Sequence, residues 1–179
     1  MPRHPRIHAP NLFYHIIVRG NNGQKIYLEK TDYEKFIALL QSTKEKYPFN
    51  LYGYTLMPNH FHLLLEVKED PTSRIMQSLL TGYSKYFNFT HKKRGHLFQG
   101  RYKAIVCEKE NYFMELVRYI HLNPVRAKLV SNPIKWKWSG HGEYIGESRR
   151  NLIDFGLLKG VFGEGRSGAE QYIKFLEDG

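Results

Sequence analysis

Alternating apolar and polar residues mark the segment from His60 to Val67 as a β-strand. Every second position from Phe61 onward is apolar, so one face of this strand belongs to a hydrophobic core. The opposite face begins with His60 and His62, and because side chains two residues apart on a strand share a face, their imidazole rings point the same way. A Pro-Asn turn joins this strand to the apolar run before it, which predicts a β-hairpin with the histidines at its mouth.

The spacing of apolar residues elsewhere predicts three helices and three further strands. The first helix follows a capping-box match at Thr31-Asp32-Tyr33-Glu34, and the second follows Pro71 and ends in a basic loop at residues 91–95. The third begins near Glu110, and we expect it to bury Tyr112, Phe113, Leu116, Val117 and Ile120. The further strands are predicted at residues 12–19, 50–57 and 101–107.

The order of these elements is strand, helix, strand, strand, helix, strand, helix, which is the split βαβ pattern. The predicted fold is therefore α+β, a ferredoxin-like (RRM-like) antiparallel sheet with packed helices. Residues 1–10 contain three prolines and read as an arm, while residues 131–146 read as a loop. Short helices are expected at 152–162 and 169–176, so we divide the chain into a domain of residues 1–145 and a helical extension of residues 146–179.

Composition excludes several classes of protein. Cys107 is the only cysteine, which excludes a disulfide framework and a two-cysteine zinc motif and fits a reducing compartment. No apolar run approaches about 18 residues, and the amino terminus lacks the hydrophobic region of a signal peptide. We therefore expect a soluble cytoplasmic protein without a membrane partner.

Charge is distributed unevenly along the chain, whose formal net charge is +10. Residues 71–107 and 116–142 contain no acidic side chain, although both stretches are rich in lysine and arginine. A surface with this bias attracts a polyanion, and phosphate contacts supply much of the affinity for nucleic acid. Aromatic rings interleave with these cations and are suited to stack on unpaired bases, unless they belong to the core: Tyr83, Tyr86, Phe87, Phe89, Phe98, Tyr102, Trp136 and Trp138.

Tyr119 and Asn123 lie one turn apart near the end of the third helix, at the margin of its apolar stripe. They are candidates to meet the histidine pair, with Tyr119 presenting its hydroxyl and Asn123 its carbonyl oxygen as a third metal ligand. The alternatives are a core tyrosine and an asparagine that caps the turn before Pro124. His15 would approach the same face if the first strand neighbours the histidine strand, although a structural role is again the alternative.

Three motifs in order resemble the single-tyrosine HUH transposases, most closely the REP-associated tyrosine transposases related to small insertion-sequence enzymes. They are Met57-Pro58-Asn59-His60-Phe61-His62-Leu63-Leu64-Leu65, Gly100-Arg101-Tyr102-Lys103-Ala104, and Arg118-Tyr119-Ile120-His121-Leu122-Asn123-Pro124-Val125-Arg126-Ala127. The resemblance covers about residues 5–145. The run Trp138-Ser139-Gly140-His141-Gly142 departs from the Trp-Ser-Ser-Tyr-like pattern of that family, which leaves the role of this loop open.

The resemblance implies a metal-dependent enzyme that cleaves and rejoins single-stranded DNA at hairpin sequences. Tyr119 would be the nucleophile that forms a 5′-phosphotyrosine, and His60, His62 and Asn123 would bind Mg²⁺ or Mn²⁺. Two nitrogen ligands and one oxygen suit manganese better, although the family implies magnesium. The partner would be hairpin DNA, held through its phosphates by Lys92, Lys93, Arg94, Arg101, Lys103 and Arg126, and the protein would act as a homodimer or a monomer.

Two other functions remain open from the sequence. One is a non-catalytic module that binds single-stranded nucleic acid on the same scaffold. The other is a metal-dependent nuclease that uses water, with Tyr119 in a structural role. Glu66 shares the histidine face and is a further candidate contact to a metal-bound water, or else a surface residue.

Overall fold

Four antiparallel strands form the sheet around which the molecule is organised, in a computed structural model that describes residues 9–107 and 110–178. The predicted arm lies mostly outside these residues. The strands pair in the order β2-β3-β1-β4, and two helices connect them as the split βαβ pattern requires, which confirms the ferredoxin-like prediction. Their bounds are β1 Phe13–Arg19, β2 Phe49–Met57, β3 His60–Val67 and β4 Lys103–Cys107.

Helices cover both faces of this sheet. Phe61 of β3 points toward the first two helices, where its ring lies 4.7 Å from that of Phe36. The next residue, His62, points the other way, toward the third helix. The helices are α1 Lys30–Lys46, α2 Thr72–Thr90, α3 Glu110–Arg126, α4 His141–Tyr144, α5 Gly156–Phe162 and α6 Gly165–Glu177. In the described ranges, none of the helices combines the length and apolar character needed to cross a membrane.

Helix α1 begins two residues earlier than the sequence pattern predicts. Its capping box is formed by Glu29 and Asp32, and the predicted box at residues 31–34 is wrong. The Asp32 carboxylate accepts hydrogen bonds from the backbone N–H groups of Leu28 and Glu29 at 2.7 and 3.0 Å, and its other oxygen lies 2.8 Å from Nε2 of His91 after α2. A partner far away in sequence therefore decides which carboxylate caps the helix.

Helix α3 continues through Pro124 to Arg126, so Asn123 lies inside the helix and does not cap a following turn. Its buried face includes Phe113, Leu116, Val117 and Ile120, as expected. The expectation for Tyr112 is wrong, because 43% of this residue is exposed. Tyr112 lies seven residues before Tyr119, hence on the same side of the helix, and that side only borders the core.

The segment after α3 covers the β2 edge of the sheet. The N–H of Leu56 donates to the carbonyl of Trp138, and the N–H of Gly140 donates to the carbonyl of Tyr54, at 2.8 and 2.9 Å. Residues 136–140, whose role the sequence left open, thus close an edge that would otherwise expose unpaired backbone groups.

Contacts between α3 and α6 hold α3 on the side away from α1 and α2. Both Nε and Nη2 of Arg118 donate to the carbonyl of Phe175, at 3.0 and 2.6 Å. Beside this contact lies what we call the anchor cluster, in which the Tyr172 hydroxyl is 2.8 Å from Nδ1 of His121 and 2.9 Å from Nδ1 of His141. The cluster comprises His121, His141, Tyr144 and Tyr172. The predicted division at residue 145 stays a prediction.

Candidate active site

Strand register places His60 and His62 on the face that α3 covers. His60 lies opposite Arg19 and His62 lies opposite Ile17 of the neighbouring β1. The two imidazole rings are 5.1 Å apart between centroids and nearly perpendicular, at 85°. The hairpin turn at residues 58–59 and the strand alternation, both evident in the sequence, produce this arrangement.

Both histidines are held through their Nδ1 atoms. Nδ1 of His62 lies 2.9 Å from Nε2 of His15, and Nδ1 of His60 lies 2.7 Å from Oδ1 of Asn59. The remaining nitrogen of His62, Nε2, faces the amide of Asn123 at 3.5 Å. His15 therefore lies beside the histidine pair, as its position on β1 allows, and contacts His62, the more deeply buried of the two.

Helix α3 brings Tyr119 and Asn123 to the histidines. The Tyr119 ring lies 5.5 Å from the His62 ring and 6.1 Å from the His15 ring, between centroids. Tyr119 is 37% exposed, and no described residue forms a hydrogen bond with its hydroxyl. It is not a sealed core tyrosine. We call His15, His60, His62, Tyr119 and Asn123 the site cluster.

Burial keeps the site imidazoles neutral. It lowers the pKa of His62 to about 3, with further lowering by the neighbouring His15 and His60. Burial and the charge of Lys103 lower the pKa of His15 to about 4. The pKa of His60 is also lowered, by burial and by the charge of Arg19, and a hydrogen bond from the ring to the Asn123 side chain opposes this shift. Near neutral pH each ring consequently keeps one unprotonated nitrogen, as a metal ligand or hydrogen-bond acceptor requires.

Two imidazole nitrogens and one amide oxygen are ligand types that can hold a divalent cation. Two ligand atoms about 2.1 Å from one cation lie about 3.0 to 3.5 Å apart at ligand angles of about 90° to 110°. The 3.5 Å between His62 Nε2 and the Asn123 amide falls at the upper end of this range, and rotating the amide presents its oxygen. Among the described residues, His, Cys, Asp and Glu form no group of three or more that could hold a metal, so the third ligand here would be the amide.

Cations surround the opening of the site cluster. Lys103 pairs with Ile17, directly across β1 from His62, and the Arg126 guanidinium carbon lies 5.6 Å from the centroid of the Tyr119 ring. Arg19 stands opposite His60 and is exposed, a contribution that the sequence analysis missed. The available signal was an arginine at the end of the first predicted strand, which borders the site because this strand neighbours the histidine strand.

The other predicted DNA-binding cations lie away from the histidines. Lys92, Lys93, Arg94 and Arg101 are exposed on the segment between α2 and β4, and no contact joins them to the site cluster among the described residues. The Lys93 ammonium lies 5.5 Å from the Phe87 ring on α2. This segment nevertheless returns to the site end of the sheet, where the N–H of Gln99 donates to the carbonyl of Arg19 at 2.9 Å.

Two other candidates are placed elsewhere. Glu66 accepts from the Tyr52 hydroxyl at 2.5 Å and from Asn50 at 2.8 Å, and it pairs with Phe13 at the end of β3 remote from His60. Half of the interleaved aromatic rings belong to the buried core, namely Tyr83, Phe87, Phe98 and Tyr102. Phe89 is exposed, and Tyr86, Trp136 and Trp138 are partly exposed.

Comparison with known proteins relates the chain to transposases. A family model described as IS200-like transposase matches residues 8–123, which is more than half of the chain. No curated protein matches. A solved REP-associated tyrosine transposase bound to a REP hairpin is similar, with 19% identity and a TM-score of 0.66, over 87% of this chain and 96% of that chain.

Two further solved structures are more distant. A Deinococcus radiodurans R1 protein described as a transposase is 18% identical with a TM-score of 0.48, over 66% of this chain and 95% of its own. The tRNA(His) guanylyltransferase of Saccharomyces cerevisiae is 7% identical with a TM-score of 0.49, over 97% and 82% of the two chains. Only the first likeness is close enough to show a shared fold.

Proposed function

This chain belongs to the family of IS200-like transposases, and from that premise we propose that it cleaves and rejoins single-stranded DNA at hairpins through a covalent bond to Tyr119. The observation that carries the proposal is the position of Tyr119. Its ring stands 5.5 Å from His62, and its hydroxyl is free of described hydrogen-bond partners. A phenol beside a candidate metal site and open to solvent is placed to meet a phosphodiester.

The proposed reaction exchanges one phosphoester for another. The Tyr119 oxygen bonds to phosphorus while the bond from phosphorus to the 3′ oxygen breaks, leaving a 5′-phosphotyrosine and a free 3′-hydroxyl. The proton lost by the phenol is balanced by the proton gained by the leaving oxygen. Because the new ester retains the energy of the old one, a 3′-hydroxyl rejoins the strand by the reverse reaction without a nucleotide cofactor.

His60, His62 and Asn123 would hold a divalent cation, Mg²⁺ or Mn²⁺, on the DNA side of this site. When bound, the cation neutralises phosphate charge and supports in-line attack. Nitrogen ligands favour Mn²⁺, so this ion is the better laboratory probe.

The DNA partner is inferred from charge and from the solved relative that binds a REP hairpin. We extend that class of partner to this chain, which places it with the REP-associated enzymes. Arg19, Lys103 and Arg126 would hold phosphates around the scissile bond, and the cations between α2 and β4 would hold the hairpin farther away.

The test is a Tyr119→Phe variant incubated with a hairpin oligonucleotide and Mn²⁺. We expect the wild-type protein to form a protein and DNA adduct that survives denaturing electrophoresis, and the variant to form none while it still binds the hairpin. Tyr112→Phe is the matched control, because Tyr112 is an exposed tyrosine on the same side of the same helix, and it should form the adduct normally.

Two results would contradict the proposal. Cleavage that persists in Tyr119→Phe indicates a nuclease that uses water. Hairpin binding without metal dependence or adduct in the wild type indicates a non-catalytic binding module.

A further inference from the structure

His15 and His62 form a buried hydrogen bond, and the groups around them determine which ring donates the proton. Both imidazoles are almost fully buried, 4% and 3% exposed, and the ring nitrogens that face each other are His15 Nε2 and His62 Nδ1, at 2.9 Å. A neutral imidazole carries one N–H, so one of the two rings donates and the other accepts.

The Asn123 amide indicates which ring donates. Its Nδ2 group faces Nε2 of His62 at 3.5 Å, and an amide NH₂ can only donate, so Nε2 is the accepting nitrogen. The single proton of His62 then lies on Nδ1 and is donated to Nε2 of His15. His15 in turn carries its proton on its own Nδ1.

We propose that His15 is a positioning residue that fixes His62 in the Nδ1–H tautomer and aims the lone pair of Nε2 at the cation site. The inference rests on the proposed function for its purpose, because this lone pair is the one a divalent cation would use. Metal-binding histidines commonly donate their other N–H to a fixed acceptor, which orients the ring and raises the basicity of the ligand nitrogen.

Asn59 offers His60 a comparable restraint. Its Oδ1 lies 2.7 Å from Nδ1 of His60, and a carbonyl oxygen can only accept, so this proton also lies on Nδ1. Each candidate ligand therefore has an acceptor at its Nδ1 atom. For His62, which lies deeper in the protein, that acceptor is Nε2 of His15 on β1.

The experiment compares His15→Gln with His15→Leu in the full chain. The amide oxygen of glutamine can replace Nε2 as an acceptor, whereas leucine cannot accept. His141→Leu is the matched control, since His141 is also 4% exposed and its Nδ1 also lies 2.9 Å from a buried partner, but it belongs to the anchor cluster.

The first readout is the tautomer of His62 in metal-free protein, by long-range ¹H–¹⁵N NMR. We expect the Nδ1–H form in the wild type, in His15→Gln and in His141→Leu. An Nε2–H form in the wild type would overturn the proposal. This measurement involves neither metal nor DNA, so it decides the role of His15 even if no adduct with DNA is found.

The second readout is Mn²⁺ affinity by titration calorimetry. We expect His15→Leu to weaken binding about 10-fold to 100-fold, His15→Gln to lie within a few-fold of the wild type, and His141→Leu to bind as the wild type does. Unchanged affinity in a folded His15→Leu protein would overturn the proposal. Should leucine prevent folding, the glutamine variant and the wild-type tautomer still decide it.

Discussion

The site cluster and the anchor cluster both combine tyrosine with histidine and both include residues of α3, but they differ in exposure. In the anchor cluster, Tyr172 is buried and its hydroxyl meets two imidazole nitrogens. In the site cluster, Tyr119 is 37% exposed and meets no described hydrogen-bond partner. The comparison teaches that a tyrosine among histidines is structural when its hydroxyl is bonded and sealed, and available for chemistry when it is neither.

The position of the site cluster also depends on the anchor cluster. Tyr119 and Asn123 can approach the sheet only while α3 is held in place, and the anchor cluster holds it through His121, two residues from each of them. Changes in the anchor cluster should therefore act on stability, whereas changes in the site cluster should act on DNA chemistry. Four predictions test this separation, from the largest expected effect to the smallest.

The largest effect is expected from acid. Burial lowers the pKa of His141 from its ordinary 6.5 to about 4, so as pH falls below 6.5 the unfolded chain takes up the proton first. Stability from this group is therefore lost between pH 6.5 and about 4, by about 3 kcal/mol in total at about 1.4 kcal/mol per pKa unit. His141→Leu should flatten this part of the pH dependence in urea unfolding. The exposed His96→Leu is the control, and equal slopes in wild type and His141→Leu would contradict the prediction.

Tyr172→Phe should lower the free energy of unfolding by about 1 to 3 kcal/mol, because it leaves buried nitrogens of His121 and His141 without their partner. The folded fraction should still form the adduct with DNA. Tyr119→Phe, the same deletion in the site cluster, should change the unfolding free energy by less than about 0.5 kcal/mol. If Tyr119→Phe destabilises the protein as much as Tyr172→Phe does, the two hydroxyl groups do not differ in their contribution to stability and the prediction is contradicted.

Arg118→Ala should cost about 1 to 2 kcal/mol of unfolding free energy, measured by urea denaturation. The guanidinium carbon lies 3.9 Å from the centroid of the Phe175 ring and two of its nitrogens donate to the Phe175 carbonyl, so the variant loses packing and hydrogen bonds between α3 and α6. A stability equal to that of the wild type would show that α6 does not anchor α3 through this contact.

Arg126→Ala should have the smallest effect on folding, within about 0.5 kcal/mol, because Arg126 is exposed. Its effect should appear in hairpin binding, with weaker affinity and a slope of log affinity against log salt reduced by about one. Arg118→Ala serves as its counterpart and should leave that slope unchanged in the folded protein. If the slope of Arg126→Ala equals that of the wild type, Arg126 does not contact a phosphate of the hairpin.

The fold could be predicted to a large extent because its signals are local. Strand alternation, the Pro-Asn turn and helical spacing lead directly to the ferredoxin-like order of elements, and their bounds differ from the structure by a few residues. The one-turn spacing of Tyr119 and Asn123 also placed both residues beside each other. Their meeting with the histidines followed from a resemblance, because helical spacing alone does not show which strand a helix contacts.

The errors arose where a distant segment decides a local question. Asp32 caps α1 at a position supported by His91, 59 residues later in the chain. Tyr112 and Phe113 are adjacent in sequence, yet the packing of α3 on the sheet buries one and exposes the other. The sequence likewise left His15 between two interpretations, since its neighbour across the sheet depends on the pairing of β1 with β3.

By itself, the sequence determined the order of the elements, the shared face of His60 and His62 and the basic character of the surface, because each depends on composition or on a period of a few residues. Only the tertiary structure decided that His15 contacts His62, that Arg19 borders the site, and that Tyr119 is exposed while Tyr172 is buried. Those features depend on strand register and helix packing between segments far apart along the chain, and no local pattern records them.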